Sequence, residues 1–410
     1  MSTVLGDKTL IRTIKLRNLL SFGPQTEELE LKSLNVLIGP NASGKSNLIE
    51  AVGLLRSTPG DLMSPVREGG GVAEWLWKGN KGPANAVINV TVSFPRGKMP
   101  LRHKISFTMV GQRFELMDEA IENEDREAAG HDDVRFYYRH LHGHPMLNVR
   151  SVVSEAQQGD EKRTLRGLRR EDLKPDQSVL SQRKDPDQYP EITYLGNQYS
   201  GIRLYREWNL GRYTLPRLPQ KPDLPDDFLL EDFSNLGLVL NSLERVRSTW
   251  DKILESLRHF NREFSDILVG IHGGTVQVFL HESGLNQPIP ATRLSDGTLR
   301  YLCLLSILCH PSPPPLICIE EPEIGLHPDA LLTVADLLVE ASHRTQLIVT
   351  THSDVLVDAL TKVPESVVVC EKQEGSTVMR RLNAEDLKEW LGKYTLGQLW
   401  REGELGGNRW

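Results

Sequence analysis

Near the start of the chain, apolar and polar residues alternate, and then the apolar ones bunch into a short run. Ile11, Ile14 and Leu16 begin one predicted strand, Leu29 and Leu31 mark another, and LNVLI (34–38) reads as a fully buried one. A glycine-containing loop follows, then a helical stripe through Leu48, Ile49, Val52 and Leu55. The glycines at 69–71 predict a loop, and AVINVTVSF (86–94) and LRHKISFTMV (101–110) predict strands of an antiparallel layer. From about 118 to 190 the chain is polar and charged, and the pattern is least readable there.

Helical spacing returns near Asp232. In TWDKILESLRHFNREF, the residues Trp250, Ile253, Leu254, Leu257, Phe260 and Phe264 share one face. DILVGIHGGTVQVFLHES then predicts a hairpin turning at Gly273-Gly274. From 294 onward the order is loop, helix, strand, helix, strand, helix, with buried strands LICIE (316–320), QLIVTT (346–351) and SVVVCEK (366–372). Strands alternating with helices predict a largely parallel α/β sheet. HPSPPP (310–315) is a stiff lead-in to the first of them, and no internal repeat or low-complexity tract is present.

A length of 410 residues allows two or three domains, or one large domain with insertions. No apolar run is long enough for a membrane span, and the first residues lack the apolar stretch of a signal peptide, so a cytoplasmic location is expected. Cys303, Cys309, Cys318 and Cys370 lie in apolar surroundings without metal-ligand spacing, and read as buried small hydrophobes in a reducing compartment. A net charge of −7 and a pI of about 6.0 argue against a protein that coats nucleic acid generally. Two local stretches can still supply a basic groove. One is Lys162, Arg163, Arg166, Arg169 and Arg170; the other, Arg203, Tyr205, Arg206, Trp208, Arg212, Tyr213 and Arg217, interleaves charge with aromatics. The plainer reading of both is a solvated face or internal ion pairs.

The chemistry is concentrated in four places. LICIEEPEIGLHP (316–328) ends a buried strand on Glu320 and Glu321, two adjacent carboxylates that repel each other and need a positive partner. LNVLIGPNASGKSN (34–47) supplies one, because it fits G-x-x-x-x-G-K-[ST] with Gly39, Gly44, Lys45 and Ser46, between a predicted strand and a predicted helix. Glycines let backbone N–H groups turn around phosphate oxygens, and the helix N-terminus adds its dipole. Lys45 can then reach the β- and γ-phosphates and the Ser46 hydroxyl can hold Mg²⁺, with Glu320 on the metal through water and Glu321 orienting the attacking water. TRLSDGTLRYLCLLSIL (292–308) places Leu294-Ser295-Asp296-Gly297 before an apolar helix, where Ser295 is also a natural N-cap. QLIVTTHSD (346–354) delivers His352 to a strand end, within reach of a γ-phosphate.

GPNASGKSN, LSDG, ICIEEPE and THS occur in that order, and together they resemble the ATP-binding cassette (ABC) class of ATPases. IKLRNLLSFG, IEEPEIGLHP and VTTHSDVLVDAL resemble more closely the soluble branch containing RecF, the structural-maintenance (SMC) ATPases and the overcoming-lysogenization-defect (OLD) ATPases. YTLGQLWREGELGGNRW is similar to a common close of stand-alone, bacterial OLD-like predicted ATPases. The motifs cover about 1–60 and 230–410.

The resemblance implies an α/β ABC-ATPase head with a mainly parallel P-loop sheet, an antiparallel β layer and a helical signature lobe. The nucleotide-binding lobe is expected from 1–117 and 310–395, a family-specific insertion or arm at 118–230, the signature lobe at 231–309 and a tail at 396–410. It implies that Gly39, Pro40, Asn41, Ala42, Ser43, Gly44, Lys45, Ser46 and Asn47 bind the phosphates, that Glu320 is the metal-side acid, Glu321 the catalytic glutamate and His352 the switch histidine. Ser295 and Gly297 would meet the γ-phosphate held by a second subunit. The family also places a lobe-linking glutamine on the metal, for which Gln177 and Gln182 are candidates, Gln182 the preferred one. Ala42 stands where the family often has glycine, which is tolerable if its φ stays negative, and Glu320 replaces the more usual aspartate.

The function implied is Mg²⁺-dependent hydrolysis of ATP by a homodimer or higher homo-oligomer that closes head-to-tail around two nucleotides. About 40 residues follow VVVCEK, too few for the nuclease domain that OLD-like proteins often carry. The output is therefore expected through a separate effector, a nuclease or toxin, in bacterial anti-phage defence. A RecF- or SMC-like repair ATPase that binds DNA itself is the alternative, and an ATP-binding scaffold with negligible turnover a further one. LSDGT, without the glutamine common in transporters, and the insertion-rich middle disfavour a transporter subunit, and no heptad stretch long enough for an SMC arm is present.

Overall fold

The computed structural model describes residues 8–79, 84–97, 99–124, 136–141, 144–150, 163–169, 171 and 173–407. The early alternation becomes β1 (Ile11–Arg17), with Ile11, Ile14 and Leu16 buried, and the short β2 (Leu29–Glu30). β3 (Leu34–Ile38) is buried at every position and leads into α1 (Lys45–Ser57); α2 (Met63–Glu68) and α3 (Val72–Trp75) follow. Next come β4 (Ala86–Val92), β5 (Leu101–Val110), β6 (Arg113–Asn123), β7 (Phe136–Leu141), β8 (His144–Arg150) and β9 (Arg163–Gly167). With β1 and β2 they form one eight-stranded antiparallel sheet in the order β2-β1-β4-β5-β6-β7-β8-β9.

The stretch that looked featureless in sequence therefore carries sheet. In β6, Phe114, Leu116 and Ile121 are buried, as are the carboxylate-bearing Glu119 and Glu122, and the expected boundary at 117/118 falls inside this strand. β6 is bonded to β5 along its length, so residues beyond 118 continue the layer rather than start an arm.

α4 (Val179–Gln182) and α5 (Pro190–Ser200) lead to β10 (Arg203–Tyr205). The helical lobe follows: α6 (Leu236–Glu244), α7 (Arg247–Phe260), the hairpin β11 (Phe264–His272) and β12 (Thr275–Glu282), β13 (Ile289–Pro290) and α8 (Asp296–Leu308). Gly273 and Gly274 turn that hairpin at φ of 58° and 74°, the paired left-handed conformations of a type I′ turn. The chain then alternates β14 (Leu316–Glu320), α9 (Pro328–Ala341), β15 (Gln346–Thr350), α10 (Asp354–Ala359) and β16 (Val367–Gln373). It closes with β17 (Ser376–Arg381), α11 (Lys388–Leu391) and α12 (Leu396–Glu402).

The second sheet has the order β10-β14-β15-β3-β16-β17, and all its neighbours are parallel except the β16–β17 hairpin. It separates two hydrophobic cores, which is why its strands are continuously apolar. Leu316, Cys318 and Ile348 pack with the antiparallel sheet, α1 and α5, while Ile317, Ile319, Leu347 and Val349 pack with α6 to α9. All four cysteines are buried free thiols. α12 lies against α10, and the chain beyond it returns to the sheet, where the Gly407 N–H donates to Glu371 Oε1 at 2.6 Å. No helix among the described residues is long and apolar enough to cross a membrane.

Candidate functional site

The buried β3 stops at Ile38, and the loop 39–44 turns it into α1. Two glycines make that turn possible. Gly39 (φ 146°) has no room for a side chain, since a Cβ would stand 2.2 Å from the carbonyl oxygen of Cys370. Gly44 (φ 100°) would meet Thr377 Oγ1 at the same distance. Ala42 also sits at positive φ, 64°, so the condition on which its substitution for glycine looked harmless does not hold. It is exposed at the crest of the loop beside Asn41, and its methyl group bears the strain of a left-handed backbone.

The loop is built to receive an anion. Gly44 caps α1 without any side-chain hydrogen bond, and the first turn holds no acid, so the leading N–H groups lack side-chain acceptors. Ser43 Oγ is buried with no hydrogen-bond partner among the described residues. Lys45 Nζ folds back on the loop, donating to the carbonyls of Gly39 (2.8 Å) and Pro40 (3.0 Å). Burial lowers the Lys45 pKa, and the neighbouring Cys370 and the charges of Glu321, Glu323 and Glu320 work against that shift. The outside of the loop is braced by Ser21, whose Oγ accepts from Asn47 Nδ2 and from Thr377 Oγ1, each at 2.7 Å.

The carboxylates arrive at the same place because β15 alone separates β14 from β3. Ser46 Oγ donates to Glu320 Oε2 at 3.2 Å. Glu321 follows in a left-handed conformation (φ 46°) that breaks the strand; its N–H donates to Thr350 O at 3.0 Å. From the end of β15, His352 brings Nε2 to 3.6 Å from Glu321 Oε1. The turn that carries His352 is held by Glu323, whose Oε1 accepts from Thr351 Oγ1 (2.8 Å) and from the His352 N–H (2.7 Å). Burial raises the Glu323 pKa against these hydrogen bonds.

The structure thus gathers residues 39–47, Glu320, Glu321 and His352 into one cluster. Among the described residues no hydrogen bond joins Ser295 or Gly297 to it, although Arg300 of the same helix donates to Glu321 O at 3.2 Å. Ser295 Oγ caps α8 by accepting from the Thr298 N–H at 3.0 Å, and a Cβ on Gly297 would stand 2.4 Å from Gly325 O, so α8 starts against the loop after β14. Gln182 does not reach the cluster either. α4 is tied to the antiparallel sheet by the fully buried Glu119, whose Oε2 accepts from the Val179 N–H at 2.8 Å. The Gln182 amide closes its own turn, donating to Gln177 O (3.0 Å) and accepting from the Lys174 N–H (2.9 Å). Gln177 faces Asp61 instead, at 3.5 Å.

Sequence reasoning picked out Arg206 and Arg217 but did not place them at the carboxylate strand and the LSDG turn. Arg206 follows β10 and donates from Nε to Glu320 Oε1 and from Nη2 to Glu50 Oε1, both at 2.9 Å. Trp208 Nε1 donates to Glu320 O at 2.8 Å, and the Arg300 guanidinium lies over its ring at 4.7 Å. Arg217 is buried, donating to the carbonyls of Leu210, Ala291 and Leu294 and pairing with Asp296, so it anchors the LSDG turn. These residues belong to the arginine and aromatic stretch at 203–217, of which Arg212 and Tyr213 are solvent-exposed. In the other basic stretch Arg163 is engaged by Glu191, Arg166 and Arg169 are exposed, and Lys162 and Arg170 lie outside the described residues.

The donor set suits a hard divalent cation bridged to phosphate: one hydroxyl and one carboxylate, with the remaining positions left to phosphate oxygens and water. No group of three or more His, Cys, Asp or Glu among the described residues could hold a metal by itself.

The family described as "AAA domain, putative AbiEii toxin, Type IV TA system" matches residues 34–358. No curated protein matches the chain. Among solved structures, the chain is similar to an Smc head bound to the C-winged helix domain of ScpA (15% identity, TM-score 0.57, 92% of this chain and 99% of that one). It is also similar to a Pyrococcus furiosus Smc head with an extended coiled coil bound to the C-terminal domain of ScpA (13%, 0.55, 94% and 99%). A third is the Pyrococcus yayanosii Smc head with a coiled coil and joint (12%, 0.51, 94% and 99%). At these identities the likeness shows the fold alone, which is that of an Smc head.

Proposed function

The chain belongs to the family described as AAA domain, putative AbiEii toxin, Type IV TA system, and we propose that it is a Mg²⁺-dependent ATPase acting as a nucleotide-driven switch. The observation that carries the reading is the meeting of Ser46 Oγ with Glu320 Oε2 at 3.2 Å, which joins the phosphate loop to the carboxylate strand. In this reading Lys45 exchanges the Gly39 and Pro40 carbonyls for the β- and γ-phosphates. The N–H groups of the loop and of α1 hold the phosphate oxygens, and Ser46 and Glu320 hold Mg²⁺. The metal, when bound, neutralises charge developing on the transferred phosphoryl group. Glu321 accepts the proton of the attacking water, and His352 holds the acid and the γ-phosphate in register.

In this reading Ser295 and Gly297, at the start of α8, serve the other copy of a head-to-tail homodimer, in which each signature completes the partner site. ATP then favours the closed pair by a contact that only that state makes, and hydrolysis releases it. The output is then through a separate effector, a nuclease or toxin, in a cytoplasmic defence system; IEEPEIGLHP and VTTHSDVLVDAL support an OLD-like grouping. Direct DNA binding is the second reading, favoured by the exposed Arg166 on β9 and Arg169 just after it; ATP-dependent, salt-sensitive retention of duplex DNA would support it.

The test is solution mass by light scattering for Glu321→Gln with and without ATP and Mg²⁺, repeated with Ser295→Arg added. A mass that doubles with ATP and stays single in the double variant is expected. A mass indifferent to ATP sinks the switch.

A further inference from the structure

Building on the nucleotide reading, we propose that Arg206 is a resident cation of the metal site: a positioning residue that holds Glu320 until a divalent ion takes the carboxylate from it.

The register of the sheet puts the two side by side. Tyr205 of β10 pairs with Ile319 of β14, so the residues that follow, Arg206 and Glu320, leave the same edge together. Both carboxylate oxygens of Glu320 are then engaged by donors. Oε1 accepts from Arg206 Nε at 2.9 Å and Oε2 from Ser46 Oγ at 3.2 Å. Arg206 is pinned from its other side by Glu50, on the first turns of α1, and two residues on Trp208 is bonded to the Glu320 carbonyl. Burial works against the guanidinium charge, but the hydrogen bond to Glu50 and the charges of Glu320 and Glu50 outweigh it, and the pKa is raised.

The resemblance led us to expect a neutral amide on the metal, from Gln182 or Gln177; beside Glu320 stands Arg206 instead. A glutamine carries a carbonyl oxygen that can ligate a metal; a guanidinium has five donors and no acceptor. Arg206 therefore competes with a cation for Glu320 and cannot share in binding it. Ion capture requires the Ser46 hydroxyl to turn its lone pair outward and Arg206 to give up Oε1, keeping Glu50 as its partner. The same pair answers the question raised by Glu320 and Glu321 in sequence: a fixed positive charge offsets them before any metal arrives.

The test compares the parent protein with Arg206→Met and Arg206→Lys. Mn²⁺ serves as the probe, its binding followed by electron paramagnetic resonance with a non-hydrolysable ATP analogue present. Binding of the same analogue in EDTA is measured separately. With the competing charge removed, Arg206→Met should bind Mn²⁺ about threefold to tenfold more tightly. Its affinity for the metal-free analogue should stay within about twofold of the parent, and Arg206→Lys should return Mn²⁺ affinity toward the parent value. Unchanged or weaker Mn²⁺ binding in Arg206→Met, with the analogue bound normally, overturns the proposal and leaves the nucleotide reading standing. Failure of the parent to bind the analogue in either condition overturns both.

Discussion

Nε2 of His352 stands 3.6 Å from Oε1 of Glu321, so the end of β15 and the residue after β14 address one point in space. A general base at that point is expected to contribute about 10²- to 10⁴-fold to turnover. Glu321→Gln should therefore bind ATP normally and lose hydrolysis by that factor in a single-turnover assay. Hydrolysis within a few-fold of the parent would remove Glu321 from the mechanism.

Lys45 illustrates a conflict between stability and binding. Its folded pKa is lowered by burial from 10.5, opposed by Cys370 and the acids around it, so the folded chain binds fewer protons than the unfolded one as pH rises. The penalty is complete below the folded pKa, fades as pH climbs through it, and vanishes above the unfolded value. Lys45→Met keeps the apolar stem and removes the charge. We expect its stability relative to the parent to be most favourable below the folded pKa and to decline toward pH 10.5 as the parent's burial penalty fades, and we expect it to lose nucleotide binding. Calorimetry across that range would refute this if the difference did not change with pH.

Ala42 at φ 64° offers a cleaner gain. A left-handed conformation costs an L-residue about 1–2 kcal/mol, and glycine returns about 0.5–1 kcal/mol of that as unfolded-state entropy. Ala42→Gly should raise the urea midpoint by an amount equivalent to about 0.5–1 kcal/mol, with an unchanged slope. An unmoved midpoint would mean that the loop relaxes around the methyl group.

Arg217 supports the LSDG turn from beneath. Arg217→Met leaves the Leu210, Ala291 and Leu294 carbonyls without their donor, and a loss of about 2–4 kcal/mol is expected in urea unfolding. Amide exchange at residues 291–297 should quicken more than at β3. A uniform acceleration would show that Arg217 supports the whole lobe and has no special hold on the turn.

The nucleotide cluster was legible because each of its parts sits where a continuous apolar run ends: LNVLI before Gly39, LICIE before Glu321, QLIVTT before His352. Buried parallel strands advertise their ends in this way. The antiparallel layer beyond 118 was illegible for the opposite reason. β9 is RTLRG, exposed at four of its five positions, and it joins the sheet through backbone hydrogen bonds that no side-chain period records. Arg206, Trp208 and Arg217 were noticed, but a basic groove, a solvated face and internal ion pairs all stayed open, since a charge–aromatic alternation looks the same whether it faces water or lines an internal junction. Only the pairing of β10 with β14 decides between the two. Gln182 failed because α4 is held to the antiparallel sheet by Glu119, a contact across 60 residues that local spacing does not reveal.

The position of β3 between β15 and β16 also fixes when this protein can first work. The phosphate loop leaves the ribosome well before both strands that flank β3, which are made more than 300 residues later. At about 5–20 residues per second, that is roughly 15–60 s during which β3 has no neighbours in its own sheet. The antiparallel layer can form during that interval, whereas the nucleotide site cannot. A nascent chain is therefore expected to acquire ATP affinity abruptly once β15 and β16 have emerged, and β3 is the segment most in need of shielding until then.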